Sequence, residues 1–212
     1  MQTTLEVRWF LKEIPPAVVQ HWFQFECPGD LLTPEAETRE DLYAYGNLDN
    51  YPNKLKEFTL NLADDQINLK LREGNLELKL KQQQFGIQTF TNENDRSVWE
   101  GRVEQWCKFN PPLLKDAALN FDRTNINWIS VYKKRLQKSD RGITSELTQL
   151  EIKGSAWWSI AFEMTQETNN ARTNFFRKVI EQAAKTYSGP KLLAEDSCSY
   201  IHWLNEFIIS QI

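Results

Sequence analysis

The stretch INLKLREGNLELKLKQQ, residues 67–83, decides the fold. Apolar and charged residues alternate up to Arg72, the pattern breaks at Glu73-Gly74-Asn75, and it resumes from Leu76, which predicts a β-hairpin. Successive strand side chains point to opposite faces. Leu69, Leu71, Leu76, Leu78 and Leu80 therefore make one apolar face, and Lys70, Arg72, Glu77, Lys79 and Lys81 a charged one.

Outward from this hairpin, the same period-two signal predicts strands at Thr3 to Phe10, Arg39 to Tyr45, Glu100 to Phe109, Trp128 to Lys138, Thr144 to Ile152 and Ala156 to Met164. A tight turn around Gly154 joins the last two. Pro15 and Pro16 open a short helix in which Val18, Val19, Trp22 and Phe23 recur at helical spacing, and Cys27-Pro28-Gly29 ends it. Asp30 to Glu37 and Gly46 to Lys54 read as connections. Two helices follow the strands, from about Ala171 to Tyr187 and from about Ser199 to Ile209.

Strands that return so often by short turns, with helices between and after them, predict an α+β protein. Its centre is a closed or nearly closed antiparallel β-barrel with flanking helices, closure protecting the sheet edges. The chain has 212 residues, 41% of them hydrophobic, and eight Trp, with no obvious linker. A single domain with a sizeable core is expected, residues from about 170 to 212 packing on the barrel.

Composition and motifs remove several function classes. A net charge of −4 leaves no basic excess for a general nucleic-acid binder. The opening MQTTLEVRWFLKE lacks a signal-peptide succession, and no apolar run approaches membrane-spanning length. Cys27, Cys107 and Cys198 show no CxxC or His-linked spacing and read as free thiols in a reducing compartment, so a cytoplasmic location is expected. Gly-rich phosphate loops, GxSxG elbows and HExxH helices are missing. His21 and His202 each lie beside a Trp without Cys, Ser or acidic company at catalytic spacing, and read as packing or surface residues.

The charged strand faces carry what chemistry there is. Such a face is simply wet in a half-buried sheet, but Lys70 with Arg72, Lys79 with Lys81, and Lys133 with Arg135 are basic pairs at i, i+2 spacing. If those faces turn into one barrel, the lumen gathers half a dozen cations that require anions. A phosphate chain suits the Arg fork and the compact Lys charge. Glu6, Asp41, Glu146 and Glu163 on other strands either neutralise part of this charge or hold a divalent ion. Arg102, Glu104 and Lys108 share a further strand face, of which Lys108 reads as solvated. The Trp-rich segments read as core and rim.

Thr4-Leu5-Glu6-Val7-Arg8 is similar to an ExExK strand that keeps its second acid and replaces Lys by Arg. Arg39 to Tyr45 resembles a strand ending in paired tyrosines after an acid, Lys70 to Lys81 an LRxR strand with its basic successor, and Val131 to Arg135 a KxR strand. Glu146 to Glu151 and Trp157 to Glu163 resemble late acidic strands. In this order the segments resemble the CYTH family, the triphosphate tunnel metalloenzymes that include thiamine triphosphatases, inorganic tripolyphosphatases and class IV adenylate cyclases.

The resemblance implies a tunnel in which Arg8, Lys70, Arg72, Lys79, Lys81, Lys133 and Arg135 grip a triphosphate or other organic phosphate. It implies further that Glu6, Glu146 and Glu163 hold Mg²⁺ or Mn²⁺, which polarises a phosphorus–oxygen bond toward water. Two departures bear on this. Thr4 stands where the first glutamate belongs, and Ala161 stands two residues before Glu163, each removing a hard oxygen ligand. A phosphohydrolase, a non-catalytic phosphate- or nucleotide-binding module, and a protein-interaction scaffold all remain open at this point.

Overall fold

The structure is a computed structural model that describes residues 2–45, 62–91, 98–109, 126–165 and 170–210. The connection read at Gly46 to Lys54 lies outside the described residues. Among them, nine strands form one sheet: β1 (Gln2–Lys12), β2 (Asp30–Leu31), β3 (Glu37–Tyr45), β4 (Ile67–Arg72), β5 (Asn75–Thr91), β6 (Val98–Phe109), β7 (Asn127–Asp140), β8 (Ile143–Ile152) and β9 (Ser155–Thr165). The α-helices are α1 (Ala17–Phe25), α2 (Asn170–Thr186) and α3 (Tyr200–Ile209).

Eight antiparallel strands run in the order β7-β3-β4-β5-β6-β1-β9-β8, and β8 pairs back onto β7. The sheet is thus a closed barrel with helices packed on it, the expected α+β architecture. Three hairpins close through two-residue turns, Glu73-Gly74, Arg141-Gly142 and Lys153-Gly154, in which both residues have positive φ. That is the turn whose twist matches antiparallel strands, and it favours Gly at the second position. Asn75, read as part of the first turn, pairs with Arg72 and belongs to the strand.

Two segments differ from the sequence reading. Within the loop expected at Asp30 to Glu37, β2 extends the edge of β7, pairing Asp30 with Ser139 and Leu31 with Lys138. β5 continues to Thr91, well past the hairpin, through irregularities between Lys81 and Gln83 and between Gln84 and Ile87. The polar run Gln82 to Gln84 interrupts the hydrophobic alternation there, and bulges place extra residues on one strand so that the period-two pattern slips.

The outward faces of β1, β8 and β9 supply Leu5, Val7, Trp9, Leu147, Trp158, Ile160 and Phe162 to a core shared with Val19, Trp22 and Phe23 of α1 and Phe176, Val179 and Ile180 of α2. Val18, read as part of the apolar stripe of α1, is exposed. The buried Lys138 ammonium donates to the carbonyls of Gln24 (3.3 Å) and Cys27 (2.6 Å) at the end of α1, where unpaired C=O groups gather.

α3 packs differently. Ile201, Trp203, Leu204 and Phe207 join Phe10, Tyr43, Ile129, Val131, Leu150 and Ile152 in one cluster. These strand residues alternate in step with Arg8, Asp41, Lys133 and Glu146, so they point into the barrel. α3 therefore fills one mouth, and the Phe10 and Trp203 rings stack at 4.6 Å. The Trp157-Trp158 pair splits accordingly, Trp158 onto the outer helices and Trp157 beside Trp203.

Candidate anion-binding channel

Inside the barrel, above the floor made by Ser199 and Tyr200, lies a cavity of about 300 Å³. Nine Arg and Lys side chains line it against five Glu, so the cavity carries an excess of positive charge inside a protein whose net charge is negative. Of the seven predicted cations, Arg8, Lys70, Arg72, Lys79, Lys133 and Arg135 line it. Lys81 does not: its ammonium sits between Asp65 (3.0 Å) and Glu104 (3.1 Å), near the Trp106 ring. The other three cations of the lining are Arg39, Arg102 and Lys108. Lys108, read as solvated, faces the lumen 3.4 Å from Glu77. Arg39 was legible in principle, since it shares alternation with Asp41 and Tyr43.

Asp41 is the anchor of the wall formed by β3, β4 and β7. It is fully buried, and Lys133 (3.0 Å), Arg39 (3.2 Å), Arg72 (3.4 Å) and Lys70 (3.7 Å) surround it. Burial works to raise its pKa, but Lys133, Lys70 and Arg39 hold the carboxyl well below the usual range. Glu77 helps, taking Lys70 (3.1 Å) and Arg72 (3.4 Å). Glu37 takes Arg39 (2.9 Å), and these three carboxylates still number fewer than the four cations. Burial and the neighbouring Arg72 lower Lys70 to about 8, and burial with Lys70 lowers Lys133 well below an ordinary lysine.

Lys133 is also held by aromatic rings. Its Nζ donates to the Tyr43 hydroxyl at 2.5 Å and lies 4.1 Å from the Tyr200 ring centroid, with Tyr43 and Tyr200 stacked at 4.7 Å. A cation over a ring face is attracted by the ring quadrupole, which ties the floor of the channel to its charged wall.

The wall of β1, β8 and β9 carries the acids. Arg8 donates to Glu146 (2.8 Å) and Ser159 (3.0 Å), and Arg135 bridges Glu146 (3.1 Å) to Glu37. Burial opposes ionisation of Glu146, and Arg8 and Arg135 overcome it, holding that carboxyl far below its ordinary value. Glu6 and Glu163 stand opposite each other in the β1–β9 register. Lys79 reaches in from β5, its Nζ 2.5 Å from Glu6 and 3.6 Å from Glu163. Thr4 Oγ1 donates to the same Glu6 oxygen at 2.6 Å. Burial and the Glu6 charge raise the Glu163 pKa.

These carboxylates do not fit a divalent ion. Among the described residues no group of three or more His, Cys, Asp or Glu side chains is placed to hold one. Glu6 and Glu146 already spend oxygens on ammonium, guanidinium and hydroxyl donors. Thr4 and Ala161, directly beside them in the sheet, supply no further carboxylate.

No family model matches the sequence, and no curated protein matches it significantly. Solved structures do show similarity. A conserved protein from Pyrococcus furiosus has 15% identity and a TM-score of 0.46, covering 94% of this chain and 98% of its own. A proposed adenylate cyclase from Bacillus halodurans has 13% identity and a TM-score of 0.42, covering 90% and 95%. A proposed adenylyl cyclase from Hippeastrum, in which a dominant triphosphatase activity has been described, has 13% identity and a TM-score of 0.37, covering 90% and 92%. Such distant likenesses carry nothing about chemistry, which rests on the channel itself. The closed barrel, with the segments quoted from the sequence lying on its strands, is the architecture that the resemblance implied.

Proposed function

We propose that the chain binds a phosphorylated small molecule, a triphosphate or other organic phosphate, with the phosphates held in the barrel channel. The observation that carries this reading is the cationic excess of a cavity closed at one end by α3. Buried like charges that exceed their counter-ions stabilise an incoming anion, because the anion relieves repulsion that the fold has left in place. Arg39, Lys70, Arg72 and Lys133 are the principal phosphate donors, with Arg8, Lys79, Lys108 and Arg135 around them. Mg²⁺ or Mn²⁺ at Glu6, Glu146 and Glu163 would require those residues to give up Lys79, Arg8 and Arg135, so binding without hydrolysis is the reading the geometry favours.

The setting fits a small-molecule site. Among the described residues no helix is long and apolar enough to cross a membrane, and all three cysteines are free. Free thiols accord with a cytoplasmic location.

The test is a panel of tripolyphosphate, thiamine triphosphate and ATP, each with and without Mg²⁺ or Mn²⁺, run on the wild type and on a Lys133→Ala, Arg135→Ala double variant. A melting temperature raised by a triphosphate in the wild type only, with no phosphate released, is the expected result. Metal-dependent phosphate release lost in the double variant would replace this reading with a phosphohydrolase. A wild type unaffected by any member of the panel would remove the phosphate reading.

A further inference from the structure

The acids of the β1–β9 wall and the lysine that reaches them form a unit of their own. Glu6 and Glu163 are paired directly across the two strands, so their carboxylates are aimed at the same part of the lumen. On any sheet, like charges directly opposite destabilise the pair unless a counter-ion is shared. The counter-ion here comes from β5. In the sheet, β6 separates β5 from β1, yet Lys79 Nζ lies 2.5 Å from Glu6 and 3.6 Å from Glu163. Its length lets it span the lumen and place an ammonium between the two carboxylates.

We infer that the Lys79 ammonium occupies the place of a divalent ion, making phosphate binding in this channel independent of metal. An ammonium satisfies carboxylate oxygens with directed hydrogen bonds, and one that is tethered to the chain is present at fixed, high local concentration. A dissolved Mg²⁺ or Mn²⁺ would have to displace it and also shed part of its own hydration shell, for a site with two carboxylates. The two sequence departures fit the same account. Thr4 donates its hydroxyl to Glu6 where a further carboxylate would have demanded a second positive charge, and Ala161 leaves the third position without a ligand. With Thr4 and Ala161 in place, the ammonium faces two carboxylates, Glu6 and Glu163.

The phosphate half of this inference rests on the proposed function, and the metal half does not. The metal half is tested by Mn²⁺ alone, titrated into the full chain without phosphate and followed by the electron paramagnetic resonance signal of free Mn²⁺. The wild type is expected to leave that signal undiminished. Lys79→Met, which removes the ammonium and keeps the stem, is expected to take up one equivalent, and Lys79→Arg none. Stoichiometric Mn²⁺ uptake by the wild type overturns the inference, and so does a folded Lys79→Met protein that takes up no Mn²⁺. If Lys79→Met fails to fold, the wild-type titration still decides.

The phosphate half is tested by the melting shift that tripolyphosphate produces in EDTA and in Mg²⁺. Equal shifts are expected, and a shift found only with Mg²⁺ overturns metal independence. No shift under either condition overturns the proposed function, while the Mn²⁺ result for Lys79 stands by itself.

Discussion

On the wall of β3, β4 and β7, one buried aspartate has four cations within 3.0–3.7 Å. On the wall of β1, β8 and β9, Glu6, Glu146 and Glu163 share Lys79, Arg8 and Arg135 almost one for one. The same barrel therefore contains an unbalanced surface beside a balanced one. The first is held short of anions, and it is there that the proposed ligand's charge would act. The second is self-sufficient and asks for nothing from solution. A count of charges along the sequence cannot distinguish them, because the difference lies in which side chains meet.

The comparison is broken most severely at Asp41. Asp41→Asn keeps the shape and removes the buried carboxylate around which the cationic wall is built, and breaking a buried ion pair in this way costs about 3–5 kcal/mol. Chemical denaturation should show that loss, and added tripolyphosphate should restore part of it. A change no larger than that of a surface substitution would mean that Asp41 does not anchor the wall.

Affinity separates the walls next. Lys70→Met removes a cation that a phosphate should engage. Tripolyphosphate affinity by calorimetry should fall roughly tenfold or more, since hydrogen bonds to charged groups contribute about 1.5–3 kcal/mol. An unchanged affinity would place the ligand elsewhere.

The pH dependence sharpens the same point. Lys70 lies at about 8 in the free protein, facing Asp41 on β3, Arg72 on its own strand, Glu77 on β5 and Lys133 on β7. An anion favours its protonated form, so binding draws in a proton, and affinity should tighten by up to about tenfold from about pH 9 to about pH 7. Without ligand the sign reverses. The unfolded lysine binds a proton that the native one gives up, so this group's contribution to stability grows as pH rises through about 8 toward its ordinary 10.5. Calorimetry in buffers of different ionisation enthalpy reads the proton uptake directly, and Lys70→Met should abolish its Lys70-dependent part.

The smallest effect belongs to the balanced wall. Glu163→Gln removes one of two facing carboxylates and leaves Lys79 with Glu6, so stability should change by less than about 1 kcal/mol, neutral or slightly favourable. A large loss on thermal or chemical denaturation would show that the acidic wall is as dependent on each charge as the cationic one.

Much of this fold was legible because period two is a strong signal when one face must be buried. The hairpin at residues 67–83 and the shared faces of the cations on β4, β5 and β7 follow from alternation alone. What the pattern could not give was which inward side chains meet. That depends on strand order, stagger and tilt, all long-range properties of the closed sheet. Four cations converge on Asp41, Lys79 reaches two strands across, and Lys81 turns aside to Asp65, although Lys79 and Lys81 look equivalent in the sequence. The role of α3 was hidden for a similar reason. Tyr200, Trp203, Leu204 and Phe207 recur at helical spacing, and nothing local says that the surface they pack on is the inside of a barrel.

A helix lodged in one mouth makes the barrel a dead end. On the proposed reading, a ligand would lead with a terminus and leave the way it came, so the interior of a long chain would not reach the floor. On that reading, the depth of the channel above Tyr200 would act as a ruler, grading ligands by how far their ends can run before they stop.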